Sequence, residues 1–492
     1  MLTCIQKAFS LIRNYHGKKY ELATLPPEDP KVYDMLCRAD TVGVFQVESA
    51  AQIQTIKRLQ PRNLIDMAHE VGSVRPGVGV HDGVARYIRR RTGAENVTYT
   101  HPLEKKALAR TYGVILFQDQ VNQIAMEVAG FSSVDADQLR RMFSRKLQPA
   151  DMKLVWQKFL AGCLSNGVTP TQAKTIFTKF NGQYMFPEAH AFAFGVTAYH
   201  VAWLKYYYPL EFFVSLFNNQ PMGFYNLETL KEDAVRHGIT VLNPDVNRSD
   251  ELATIESDAF RMGLKHLVNV GDATTRSILS AREKGGLFRS LKDFMCRTGV
   301  KQEPLDNLSL SGALDCLSSS SDVDVNRRML RWEVGLRYRQ TGLQMVLDTP
   351  VVQDMVDLPR ELNLERVLGE YASLGVHPSG HIMSYIRPFL SHGVIRSDCL
   401  SDYPEGRMVT VAGVVIRRQR PTGKATFITL EDEFGLSPLI LWPSVYKRTR
   451  LRTINPILIA RGKLSKRDGT LNVVVEDVSP VIVDSKPLKI RA

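Results

Sequence analysis

The run VTVAGVVIRR, residues 409–418, is rich in β-branched residues, and it is the first of five such runs near the end of the chain. ATFITLED (425–432), SPLILWP (437–443), PILIARGKL (456–464) and TLNVVVED (470–477) follow, separated by turns. Lys466-Arg467-Asp468-Gly469 has the composition of a hairpin loop between the fourth run and the fifth. Five short strands with basic loops predict an OB-type β-barrel, a fold whose face and loops suit single-stranded nucleic acid. Arg417, Arg418, Arg420, Lys424, Lys447 and Arg448 are placed to follow a phosphate backbone, and Phe427 or Trp442 to stack a base. The plainer reading of either aromatic is barrel core.

Charge points the same way. The chain of 492 residues holds 63 Lys+Arg against 51 Asp+Glu, a formal +12, which favours polyanionic partners. Residues 403–492 alone carry 16 basic and 8 acidic residues, so the excess gathers around the predicted barrel. The six cysteines are scattered, with no CxxC pair, which fits reduced thiols and argues against a zinc site or a disulfide framework. No stretch approaches the length of a membrane-spanning helix, and the first residues lack a signal-peptide cleavage pattern. A soluble cytoplasmic protein with no membrane partner is expected.

Upstream of the barrel, GLKHLVNVGDATTRSILSAREK (263–284) puts a tight turn, Asn269-Val270-Gly271, between two short helical segments. Backbone N–H groups at such a helix start bind a DNA phosphate without reading sequence, so Val270 and Gly271 are DNA-binding candidates. The pattern is similar to a helix-hairpin-helix motif, with Asn269 where a first glycine is usual; Asn tolerates positive φ better than most residues. LDNLSLSGALDCL (305–317) is a weaker second hairpin.

The first 220 residues read as mainly helical. Thr169-Pro170-Thr171-Gln172 supplies a cap, a proline at the first helical position and a capping-box glutamine. AHAFAFGVTAYHVAWLKYYY (189–208) is apolar nearly all round and belongs deep in a core. QLRRMFSRK (138–146) places Arg140, Arg141, Ser144 and Arg145 on neighbouring helical faces and ends in Lys146, behind a cap at Ser132 or Ser133. Leu139, Met142 and Phe143 supply the buried side. Guanidinium forks bond phosphate oxygens bidentately, so a triphosphate suits the cluster; a solvated charged face is the alternative.

Several longer motifs then occur in one order: TVGVFQVES (41–49), VRPG (74–77), YTHPLE (99–104), TYGVILFQDQVNQIA (111–125), ADQLRRMFSRK (136–146), FPEAHAFAF (186–194) and AWLKYYYPLEF (202–212). In this order they resemble bacterial DnaE-type DNA polymerases, the alpha subunits of polymerase III and their relatives. With NNQPMGFY (218–225), the hairpins and a terminal barrel, the chain looks most similar to the error-prone branch often called ImuC. The resemblance implies an α+β multidomain chain: end of the palm and a connection (1–44), helical fingers (45–220), a connection (221–258), tandem helix-hairpin-helix (259–340), a linker (341–402), an OB fold (403–485) and a basic tail (486–492). It also implies that Arg140 and Arg141 grip the incoming dNTP, with Lys146, Arg75 and His190 lining the same pocket. Val78 stands where the family usually has a proline after RPG, and MFSRK departs from the commoner continuation after the arginines.

In this family three palm aspartates hold the metal ions, the last of them just before a segment resembling LGMLTCI. The sequence starts at Met1-Leu2-Thr3-Cys4-Ile5, and no later DxD pair has the right surroundings. Carboxylates are the ligands Mg2+ requires. No catalytic or metal-binding residue is therefore expected in this chain, and by itself it is expected to be inactive. A separate PHP–palm polypeptide and other translesion factors are the implied protein partners, with primed and single-stranded DNA as the nucleic acid. The alternatives are a non-catalytic DNA-binding remnant or a repair-complex scaffold.

Overall fold

The computed structural model describes residues 1–74, 83–144, 149–180, 186–223, 225–318, 325–340, 355–420, 425–467, 470–483 and 486–487. It forms two compact units, one of Tyr20–Tyr207 and one of Met1–Lys19 together with Tyr208–Ala492.

The first unit is helical. Its central element is the helix Glu188–Tyr207, which lies along the helix Leu64–Ser73. The two approach closely because Gly195 has no side chain: a Cβ there would meet the Ala68 backbone nitrogen at 2.9 Å. Near the end of this helix the buried Lys205 ammonium reaches Asp40 at 2.6 Å and the Val42 carbonyl at 3.1 Å, so its charge is paired where it is desolvated. A second core gathers the helices Gln118–Ala129, Ser133–Ser144, Pro149–Ser165 and Pro170–Lys179 around Ile124, Leu139, Phe143, Phe159 and Phe180. Phe143 meets Phe177 and Phe180 edge-on, the arrangement aromatic quadrupoles favour. Thr169 and Gln172 form the capping box expected of them.

His69 sits in this unit 3 % exposed, with Nδ1 2.8 Å from the Tyr87 hydroxyl. Burial, helped by the charges of Arg91 and Arg110, pushes its imidazole down to about 4. Above about pH 6.5 neither the folded nor the unfolded chain protonates this group, and its contribution to stability is complete. As pH falls from there toward about 4 the unfolded chain takes up a proton that the folded one refuses, and up to about 3 kcal/mol is lost. His69→Asn, which keeps an acceptor for Tyr87, is expected to flatten that acid limb in urea unfolding between pH 4 and 7. An unchanged slope would assign the limb to other groups.

In the second unit the helix Leu2–His16 packs against Pro209–Phe217. A three-stranded sheet follows, with Ala259–Arg261 between a parallel neighbour, Thr240–Leu242, and an antiparallel one, Thr254–Glu256. The chain ends in a closed five-stranded barrel of Met408–Gln419, Thr426–Glu431, Leu436–Leu441, Ile457–Ser465 and Asn472–Pro480. The first strand pairs with the second and fourth, and the circle closes through a parallel contact between the third and fifth. Val409, Val411, Ile428, Leu439, Leu458 and Val475 fill the interior, and a bulge between Val415 and Arg417 bends the first strand.

Two stretches expected as links are built into this unit instead. Residues 221–258 contain the helix Leu227–Arg236, and 341–402 contain Asn363–Leu374 and Ile382–Ile386. Val367, Tyr371, Ile382 and Ile386 form one core with Ala412 and Val414 of the first barrel strand. The apolar period that marks a helix is masked here by buried charge: Glu228, Lys231, Glu232 and Asp233 are all interior on the first of these helices. Lys231 bonds Glu228 (3.0 Å), Glu232 and the Gly380 carbonyl (2.7 Å), while Glu431 of the barrel accepts from Arg236 (3.0 Å) and Thr229 (3.0 Å).

Candidate functional site

The helix Ser133–Ser144 buries Leu139 and Phe143, which turns Arg140 and Arg141 outward. Both arginines share Asp137. Arg140 donates to it from Nε (3.0 Å) and Nη2 (2.7 Å), and Arg141 from Nε (2.7 Å). The hydrogen bond from Arg140 holds the Asp137 carboxyl below its usual range. Arg140 also donates from Nη1 to Gln118 at 3.0 Å, the first residue of the helix Gln118–Ala129. That helix start is fixed to the start of Glu188–Tyr207: Gln118 N–H donates to the Phe186 carbonyl (3.1 Å) and Glu188 N–H to Asp119 (2.7 Å). Arg110 adds a bond to Glu188 at 2.6 Å.

Two helix starts and the arginine pair of a third helix are thereby joined in one surface region. Arg140 is oriented and partly covered, at 23 % side-chain exposure, whereas Arg141 is 68 % exposed. His190 lies on the same helical start as Glu188; it is exposed, between the rings of Phe186 and Phe194 with centroids at 5.0 and 4.0 Å. Arg75 and Lys146 fall outside the described residues. Asp137 and Gln118, the partners that aim Arg140, were not singled out from sequence. The i, i+3 and i, i+4 spacing of Asp137 to the two arginines was the available signal for the first of them.

In the hairpin segment the leading helix is a single 3-10 turn, Leu264–His266, and the following helix is Asp272–Gly285. Asn269 has φ +62°, the left-handed conformation the sequence requires of it. Gly271 begins the helix with no side-chain cap, so its first N–H groups face outward without a side-chain acceptor. Val270 is 3 % exposed, so its side chain anchors the turn and only backbone near it is available to a ligand. Asn269→Ala is expected to lower stability by about 1 kcal/mol, while Asn269→Gly stays near wild type, since only glycine and asparagine visit this region cheaply. Urea midpoints for the three proteins check it. In the second hairpin the turn at Gly312 is filled by the Arg327 guanidinium, which leaves no open backbone there.

On the barrel Phe427 is partly exposed on the outer face, between Gln419 and Ile440 in register, and Trp442 is 52 % exposed. Both aromatics, candidates for base stacking with barrel core as the plainer reading, therefore sit at the surface, because the strand alternation gives the interior to Ile428, Leu439 and Leu441. Arg417 lies over the Tyr225 ring (5.1 Å) and Arg420 over Tyr446 (4.9 Å). Arg418 donates to the Ile454 and Asn455 carbonyls (3.2 and 2.8 Å), and Arg448 donates to the Glu476 carbonyl. Lys447 is exposed on the helix Pro443–Thr449. Lys424 falls outside the described residues. Several of the barrel's cations are thus braced against aromatic rings or carbonyls rather than loose in solvent.

Among the described residues, neither unit by itself brings three carboxylate, imidazole or thiol groups within ligand distance of one another. Among the described residues neither unit offers the carboxylate cluster that a magnesium centre takes. Nor is any helix among them long and apolar enough to cross a membrane.

A helical unit with a clamped arginine pair, a hairpin segment and an OB barrel define a multidomain chain with nucleic-acid-binding domains. Residues 1–167 match the family described as bacterial DNA polymerase III alpha subunit finger domain, 238–323 the helix-hairpin-helix motif, and 409–481 the OB-fold nucleic acid binding domain. The chain is 36% identical over 493 residues to the error-prone DNA polymerase of Corynebacterium glutamicum, covering 98% of this chain and 45% of that protein. It is 35% identical over 527 residues to that of Sinorhizobium medicae (98% and 46%) and 35% identical over 466 residues to that of Dechloromonas aromatica (93% and 44%). Over nearly its whole length the chain is thus similar to bacterial DNA polymerases of the DnaE type, on their error-prone side. It spans less than half the length of these curated relatives.

Proposed function

We propose that this chain is the fingers, hairpin and OB-barrel part of an error-prone, DNA-directed DNA polymerase that works in translesion synthesis and DNA repair. The observation that carries the reading is the orientation of Arg140 by Asp137 and Gln118, on a segment matched by the polymerase finger family. Phosphoryl transfer needs cations fixed where negative charge develops. Arg140 is already fixed, so it meets the triphosphate of the incoming dNTP without first being ordered. Arg141 exchanges its share of Asp137 for a phosphate oxygen, and His190 lies on the adjoining helix start. The family's reaction uses Mg2+; its ligands and the palm come from outside these 492 residues.

The hairpin backbone near Gly271 holds duplex phosphate. The barrel tracks the single-stranded template with Arg417, Arg418, Arg420, Lys424, Lys447 and Arg448, while Phe427 or Trp442 stacks a base. Nucleotide binding tests the reading. In equilibrium dialysis with a primed template, a labelled dNTP binds the chain, and Arg141→Ala weakens that binding while leaving DNA affinity unchanged. Equal loss of DNA and nucleotide binding would remove the triphosphate role from this pair.

A further inference from the structure

Between the third and fourth barrel strands the chain carries apolar surface for which the DNA path has no use. The helix Pro443–Thr449 does not end the winding there: Arg450 has φ −49° and ψ −47°, and the Thr453 N–H donates to the Thr449 carbonyl at 3.0 Å. Lys447, Arg450, Leu451 and Ile454 are therefore spaced by three and four on a helical path and share a face. All four are exposed. Leu451, at 82 %, is the most exposed large apolar side chain among the described residues, and Ile454 stands at 65 %.

The backbone beneath this face is fixed. The Thr449 hydroxyl donates to the Val445 carbonyl (2.8 Å), the Thr453 hydroxyl to the Arg450 carbonyl (2.7 Å) and the Asn455 amide to the Arg452 carbonyl (2.9 Å). Thr449 and Thr453 are buried. On one side Arg418 of the first strand donates to the Ile454 and Asn455 carbonyls. On the other, Arg452 donates to the Val478 carbonyl of the fifth strand (3.3 Å). Leu451 and Ile454 are thus presented on a backbone that needs no ordering when a partner arrives.

The charge around the apolar pair is of one sign. Residues 443–455 contain Lys447, Arg448, Arg450 and Arg452 and no Asp or Glu. Of these four, Arg452 alone has a carboxylate partner among the described residues, Asp477 at 3.3 Å, and both side chains of that pair are more than half exposed, so water screens the attraction. Arg448 donates to the Glu476 carbonyl, a neutral group that leaves its charge uncancelled. The Lys447 and Arg450 side chains bond nothing among the described residues. Such a surface takes an anionic partner, and the two aliphatic side chains decide its kind. Single-stranded nucleic acid stacks its bases on rings, which leucine and isoleucine do not offer. Exposed aliphatic groups bordered by arginine are instead the make-up of a protein interface, and an arginine cluster suits an acidic motif.

We propose that Arg450, Leu451, Arg452 and Ile454 form a docking surface for a short acidic segment of another protein, in which aliphatic or aromatic side chains stand among carboxylates. Leu451 and Ile454 receive the partner's apolar side chains, and the arginines pair with its acids. The proposal goes beyond the polymerase reading and does not depend on it. Lys447, a candidate for the DNA path, stands at one end of the face, so the two surfaces adjoin.

The test uses the full chain in fluorescence anisotropy with three labelled probes: an acidic peptide of Asp and Glu interspersed with Leu and Phe, the same peptide with Ser at every apolar position, and single-stranded oligo(dT). The variants are Arg450→Glu and the double substitution Leu451→Ser with Ile454→Ser; all three positions are exposed, so both proteins are expected to melt as wild type does. The apolar-acidic peptide is expected to bind more tightly than its serine counterpart and to weaken as salt is raised. Both variants are expected to weaken it at least about 10-fold, while the double variant keeps its oligo(dT) affinity within about twofold of wild type. Failure of the wild-type chain to bind the peptide, or equal binding of the two peptides, overturns the proposal. Loss of oligo(dT) affinity in the double variant assigns the face to nucleic acid and overturns it too.

Discussion

With a palm supplied, Arg140→Ala is expected to lower kcat/KM for nucleotide incorporation by at least about 100-fold, the loss typical of removing one preorganised donor from developing charge. The effect is large because this guanidinium is held on two sides, by Asp137 at 2.7 Å and Gln118 at 3.0 Å, before any nucleotide binds. Arg140→Lys is expected to restore little of it: an ammonium cannot span both partners and still point a donor at phosphate. Gln118→Ala tests the positioning separately. It leaves the charge and loosens its aim, so kcat falls more than KM rises. Arg141→Ala is expected to cost less, about 10-fold, and to lose more of its effect as salt is raised, because its side chain is largely in water. Single-turnover incorporation across the four variants orders these effects. Wild-type incorporation by Arg140→Ala would mean that the triphosphate sits elsewhere.

The second large effect is structural and reaches the same surface from behind. Gly162, in the helix Pro149–Ser165, lies against the end of Gln118–Ala129, where a Cβ would stand 1.9 Å from the Ala129 carbonyl oxygen. Backbone cannot step aside as a flexible side chain can. Gly162→Ala is therefore expected to destabilise the helical unit by about 3 kcal/mol, at the upper end of overpacking effects. It also displaces the helix whose first residue aims Arg140, so dNTP affinity should fall in protein that still folds. Gly335→Ala is the matched control: a helical glycine with nothing within 4 Å of the added methyl, expected to be neutral or stabilising by up to about 1 kcal/mol. Urea unfolding of both measures the contrast. Equal midpoints would mean that the two helices separate at little cost.

Much of this architecture was legible because it is written in local signals. Each barrel strand was visible as a β-rich run, and the structure moves its ends by only a few residues. Thr169 and Gln172 announced a helix start, and Asn269 announced a left-handed turn. What escaped was structure held by buried charge. The helix Leu227–Arg236 carries Glu228, Lys231 and Glu232 inward, so an apolar period never appears, and 221–258 read as a connection. The same holds for Asn363–Leu374, whose Glu370 is a buried acceptor. At the candidate nucleotide surface the arginine pair was visible as a charge run, but Gln118 lies 22 residues away and no local pattern joins it to Arg140. Phe427 and Trp442 show the limit from the other side: composition left base stacking and barrel core both open for them, and strand register puts Phe427 on the outer face while Trp442, just past the third strand, is half exposed.

The most direct test of the central claim is primer extension on a primed DNA template with magnesium and all four dNTPs, using this chain alone and then mixed with the portion of the Corynebacterium glutamicum error-prone DNA polymerase that this chain does not span. The account predicts extension in the mixture and none from either component by itself, with Arg140→Ala abolishing the mixed activity. Extension by these 492 residues alone, or a mixture that binds primed DNA and dNTP yet never extends, would contradict it.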